Sequence, residues 1–168
     1  HSTRKQFLDS VAGLSEAQWK FKPAPDRWSI AECAEHIAVS EDTLFHLVTE
    51  KILKSPAASE RKAEVQGKDE LVLKQIPDRS QKFKAPEFLL PTNRWPTPQA
   101  LLDHFKQSRD RTVAYVQTTQ DDLRSHFFAH PAMKLLDAYQ WILLISAHSA
   151  RHTAQLNEVK ADPNFPKP

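Results

Sequence analysis

Apolar residues recur at intervals of three and four along most of the chain, and a few proline-rich or polar stretches break that rhythm. Over residues 4–11, Phe7, Leu8 and Val11 fall on one side of a helical projection. Ser15 and Gln18 then stand at capping-box spacing, with Leu14 and Trp19 as the matching hydrophobic staple, so a short helix starts there. Pro23 and Pro25 stop it. Ser29 and Glu32 form a second capping box behind Trp28, opening a long helix to about Lys54. Its apolar stripe is Ile30, Cys33, Ala34, Ile37, Leu44, Val48 and Ile52.

From residue 55 to 98 the pattern degrades. Residues 55–59 form a loop, 60–68 a solvated charged stretch, and 69–76 two helical turns. Pro77, Pro86, Pro91, Pro96 and Pro98 stiffen the next segment, with Phe83, Phe88, Leu89, Leu90 and Trp95 interspersed. A connection this long inside a compact domain is functional or packs on the core, and its apolar residues favour packing, with a lid as one form of it. Thr97 caps the next helix, with Pro98 at its first position. Leu101, Leu102, Phe105, Val113 and Val116 give that helix one stripe, interrupted at 107–112 by a polar segment expected to cross a wetter part of the bundle. Residues 119–123 form another capped turn, and 125–135 read as an irregular linker. The last long helix starts near Asp137, with Gln140 completing a capping box and Leu136 and Trp141 a staple, and ends before Pro163. No β-alternation is visible. Three long helices and a shorter first one make an all-α four-helix bundle the simplest fold, as a single domain over residues 1–168.

Composition narrows the classes. The net charge of +2 and the lack of basic runs argue against a nucleic-acid or anionic-membrane surface. Residues 141–145, the longest apolar stretch, are too few to cross a bilayer. The single cysteine, Cys33, excludes an internal disulfide and makes a reducing cytoplasm the expected compartment. No secretory signal pattern opens the chain, and a first residue of His1 rather than methionine points to residues preceding this numbering. Two glycines are too few for a Gly-rich phosphate loop.

The chemistry concentrates in the last helix. Trp141, Ile145, His148, His152, then Gln155 or Leu156, and Val159 step by fours and threes, so both histidines share the inward seam. Burial disfavours the imidazolium, and the neutral ring is the form that ligates metal. Two converging imidazoles without a shared partner leave nitrogens unsatisfied, at about 1–3 kcal/mol each; a divalent ion removes that penalty. His36, on the seam of Cys33, Ile37 and Ser40, is the best third ligand. Three protein nitrogens leave an open position, as in catalytic sites. Spacing alone leaves core packing and ligation both open.

Glu41, Gln155 and Glu158 are candidates for holding the imidazoles from behind. Cys33 one turn before His36 is a possible soft ligand, though a small buried residue accounts for it as well. His46 and His104 have no partner at helical spacing, and His126 and His130 sit in the linker, where a rim role is expected. No Ser-His-Asp order or paired-carboxylate motif stands out.

Residues 28–37 (WSIAECAEHI) and, after a long middle, 148–156 (HSARHTAQL) resemble the DinB/YfiT-like superfamily. The Leu14-Ser15, Trp19 and Pro23 turn and the Pro-rich approach to the third helix resemble it too, so the likeness spans nearly the whole chain. It implies a four-helix bundle with one longer crossover and a divalent metal, zinc or nickel foremost, held by His36, His148 and His152. It further implies either a transferase using a low-molecular-weight thiol such as bacillithiol or mycothiol, or a metal-dependent hydrolase; a non-catalytic metal- or ligand-binding stress protein is the third reading. Arg151 would contact an anionic cofactor group if it reached the rim. Small-molecule substrates and a homodimer are the partners such a likeness implies.

Overall fold

The computed structural model describes residues 1–167. Four helices carry the bundle: α1 (Ser2–Val11), α3 (Ile30–His46), α5 (Pro98–Thr118) and α6 (Ala138–Lys160). The short α2 (Glu16–Lys20) lies against α3, and α4 (Lys68–Gln75) lies against α6. Both α1 and α3 pack on α5 and on α6, so the long helices run around the bundle in the order α1, α5, α3, α6.

The helix starts are local events. The capping boxes at Ser15/Gln18, Ser29/Glu32 and Asp137/Gln140 are all formed, and Thr97 accepts from the Ala100 amide with Pro98 in the first turn. Gly13 takes the left-handed conformation (φ +70°) just past the end of α1, where a side chain would be strained. Beyond His46 the helix continues as a π-type turn, Leu47–Ile52, rather than as α-helix to Lys54, with Val48 and Ile52 still buried. The charged stretch at 60–68 contains a 3₁₀ turn, Ser59–Val65, which buries Val65.

The connection before the last helix also departs from expectation. Residues 125–135 are not an irregular linker: β1 (Phe127–His130) and β2 (Lys134–Asp137) form an antiparallel hairpin pairing Phe127 with Asp137 and His130 with Lys134. Strands of four residues are too short for a period of two to stand out. Lys134 carries a left-handed φ of 60° at the turn, and the Trp141 indole donates to the Phe128 carbonyl at 3.2 Å, docking the hairpin on α6.

The core is in two parts. One cluster gathers Phe7, Val11, Trp19, Ile30, Cys33, Ile37, Phe105, Leu156 and Val159. The other gathers Val48, Ile52, Val72, Leu136, Trp141, Ile142 and Leu144. Along α3 and α6 the residues between them are polar and buried: Ser40, Glu41, Ser149, Arg151 and Thr153. From α5, Ser108, Arg109 and Thr112 are 2%, 3% and 5% exposed. The inward half of the polar interruption at 107–112 is therefore a dry network rather than a wetter zone, while Gln107, Asp110 and Arg111 face solvent. Arg109 reaches Glu41 with two bonds of 2.8 and 2.6 Å, and Thr112 adds a third to the same carboxylate at 2.9 Å. Among the described residues, no helix is long and apolar enough to cross a membrane.

Removing one partner of this buried pair strands the other charge. Arg109→Met is expected to destabilise the protein by about 3–5 kcal/mol, and pairing it with Glu41→Leu to recover most of that loss. Urea denaturation of the single and double variants checks both.

Candidate metal centre

The boxes that start α3 and α6 also set the register of the site. His36 lies two turns into α3 from Ser29, and His148 and His152 lie one turn apart on the α6 face that packs against it. His36 Nε2 and His148 Nε2 stand 3.2 Å apart. The His152 ring centre is 4.4 Å from each of the other two. One nitrogen of each residue lies within 4.8 Å of the others, close enough to share an ion.

Hydrogen bonds orient two of the rings. His36 Nδ1 is 2.9 Å from the Leu89 carbonyl, an acceptor only, so Nδ1 carries the proton and donates it. The lone pair of His36 is thereby on Nε2, facing His148. His152 Nδ1 is 2.8 Å from Gln155 Oε1, which leaves the His152 lone pair on Nε2 as well. Trp28 packs 4.9 Å from the His36 ring and 6.1 Å from the His152 ring, an apolar wall on one side. His36 is 2% exposed, while His148 and His152 are half-buried.

Burial holds all three imidazoles neutral. Desolvation lowers the His36 pKa, pushes His152 down to about 3, and drives His148 well below its ordinary value, with the neighbouring imidazoles adding to the last two shifts. Neutral imidazoles, two with lone pairs turned inward, suit a divalent cation.

A family model described as the DinB superfamily matches residues 1–156. The protein belongs to the DinB superfamily. It is similar to the uncharacterized protein YuaE of Bacillus subtilis (strain 168), 24% identical over 160 residues that cover 95% of this chain and 94% of that one. It also resembles the solved structure of YfiT from Bacillus subtilis, described as a probable metal-dependent hydrolase with an unusual four-helix bundle topology. There the TM-score is 0.59 at 17% identity, covering 98% of this chain and 83% of that one. At that identity the likeness shows the fold.

In this member of the DinB superfamily the other sequence candidates have definite places. Gln155 Oε1 is the group that meets His152 Nδ1. Glu41 holds no imidazole, because Arg109 and Thr112 occupy its carboxylate. Glu158 touches none directly; it pairs with Arg79 at 2.6 Å. Arg151 does not reach a rim for an anion. It is 8% exposed and donates to the carbonyls of Ile76, Asp78 and Gln81, pinning the connector to α6. Cys33 is fully buried, and desolvation pushes its thiol up to about 12, which fits a packing residue rather than a thiolate ligand. His104 pairs with Asp42, His126 Nδ1 meets the Ser55 carbonyl, and His130 accepts the Ala132 and Met133 amides within the hairpin turn. His46 bonds the Asp42 carbonyl one turn earlier on its own helix.

Sequence reasoning missed Trp28 as a wall, the Leu89 carbonyl and Arg79. The connector that supplies the last two is anchored at both ends. Arg151 and Arg79 hold its start, and Glu35 accepts from the Thr92 and Asn93 amides at 2.7 and 2.9 Å and from the Arg94 guanidinium at 2.6 Å.

The depressed histidines set a pH dependence for the metal-free protein. In the unfolded chain an imidazole titrates near pH 6.5, whereas His152 in the folded state titrates at about 3. Between those values the unfolded state binds more protons, so stability is full above about pH 6.5 and falls as pH drops toward 3. Thermal melts of chelator-treated protein are expected to show a falling Tm over that window, and a smaller fall in His152→Phe.

Proposed function

We propose that the protein is a divalent-metal-dependent thiol S-transferase, with His36, His148 and His152 as the metal ligands. The observation that carries the reading is the convergence of three neutral imidazoles where the nearby carboxylates are already engaged. Glu32 caps α3, Glu35 holds the connector amides, Glu41 pairs with Arg109, and Glu158 pairs with Arg79. A carboxylate is one common general base for hydrolysis, and the four nearest the triad are already engaged; attack by an ionised thiol needs no such base.

A divalent ion held by the triad supplies a Lewis acid that acidifies a thiol or a water beside it. The chain's own groups do the rest. The Leu89 carbonyl and Gln155 fix which nitrogens of His36 and His152 carry protons. Trp28 and the connector around Leu89 shut water out on the α3 side, and the half-buried edges of His148 and His152 leave the approach for thiol and electrophile. In the transfer, the sulfur bonds to the electrophilic carbon, the leaving group departs with the bonding pair, and the thiol proton passes to solvent.

A metal-dependent hydrolase keeps the same centre with water as the nucleophile, and the likeness to YfiT favours it as the second reading. Metal analysis is expected to find about one zinc or nickel per wild-type chain and little in His148→Ala or His36→Ala; unchanged content in either variant would sink the triad. With metal loaded, monochlorobimane turnover is expected to require an added low-molecular-weight thiol. Ester hydrolysis at a rate indifferent to thiol would hand the site to the second reading.

A further inference from the structure

The support behind His152 begins on the connector. Arg79 grips Glu158 in a two-pronged pair, Nε to Oε1 at 2.6 Å and Nη2 to Oε2 at 2.8 Å. Its remaining nitrogen, Nη1, donates to Gln155 Oε1 at 3.2 Å, and that same oxygen faces His152 Nδ1 at 2.8 Å. The Arg79 side chain is only 14% exposed.

A glutamine amide is two-faced. Left alone, Gln155 would serve either form of His152 by rotation, offering its oxygen to a protonated Nδ1 or its NH₂ to a bare one. The two forms differ in what they leave for an ion, since a bare Nδ1 puts the proton on Nε2 and removes the ligating lone pair. A guanidinium only donates. With Arg79 anchored on Glu158, the Gln155 oxygen is the end that satisfies both neighbours, and His152 Nδ1 must then carry the proton. We propose that Arg79 is a positioning residue that selects the metal-ligating tautomer of His152 by fixing the orientation of the Gln155 amide. The inference rests on the metal reading of the triad. His36 needs no such device, because the Leu89 carbonyl accepts only.

The connector and the centre are therefore linked: the segment that covers the site also sets the protonation pattern of one ligand. Arg79→Met frees the amide. Gln155→Glu replaces the two-faced group with one that only accepts, so Arg79→Met/Gln155→Glu restores the demand on Nδ1 without restoring the clamp to Glu158. Zinc affinity, measured by competition with a chromophoric chelator, is expected to weaken about ten-fold in Arg79→Met. It is expected to return close to wild type in the double variant, by more than Gln155→Glu raises it alone. Long-range ¹H–¹⁵N correlation spectra of the metal-free proteins read the tautomer directly. Wild type and the double variant are expected to show His152 protonated on Nδ1, and Arg79→Met a mixture.

An Arg79→Met protein that keeps both zinc affinity and the Nδ1 proton overturns the inference. So does an affinity loss that Gln155→Glu does not repair while the tautomer stays unchanged, since Arg79 would then merely hold the connector. If wild type binds no zinc, the proposed function fails, and the spectra still decide the tautomer question.

Discussion

The structure turns on the burial of nitrogen. Three imidazoles sit between helices α3 and α6, drawn together to within 4.8 Å and stripped of most of their water. Buried ring nitrogens with no partner are destabilising, and a charged ring there would be more so. The fold's answer is to give His36 and His152 an acceptor for the outer nitrogen and to leave the inner nitrogens facing one another. That arrangement suits a cation site; without an ion, the Nε2–H of His148 can donate to His36 Nε2 across 3.2 Å.

Holding it has shaped the rest of the bundle. The hydrophobic core is split in two, and a polar layer made of the triad, the Glu41–Arg109 pair and Thr112 passes between the halves. A buried ion pair is weak as a source of stability but sensitive to loss of either partner. Here it occupies the α3–α5 contact one turn beyond His36, so α3 is held from both sides at the level of the site. The connector from 77 to 96 is equally committed. Arg151, Arg79 and Glu35 tie its two ends down, and between them Leu89 presents its carbonyl to His36. Membership of the DinB superfamily accounts for the bundle.

Local chemistry makes much of this readable in the chain alone. A capping box needs only residues three apart, so Ser15/Gln18, Ser29/Glu32 and Asp137/Gln140 announce helix starts that the structure repeats. Helical period places His148 and His152 on one inward face, since four residues make about one turn. The hairpin at 127–137 escapes because four-residue strands show too little alternation, and because its stability comes from Trp141 and the sheet pairing rather than from its own residues.

The set of helices, their faces and a pair of stacked imidazoles are thus consequences of short-range spacing along the chain. How the remaining polar groups are engaged depends on long-range packing. Glu41 reads as support for the histidines but lies 68 residues in sequence from Arg109, which claims it. Arg151 reads as an anion contact but closes on carbonyls 70 to 75 residues away. The Leu89 carbonyl and Arg79, which govern the protons of His36 and His152, carry no motif at all. A backbone oxygen has no sequence signature, and a guanidinium's role depends on which acceptors the fold brings within reach.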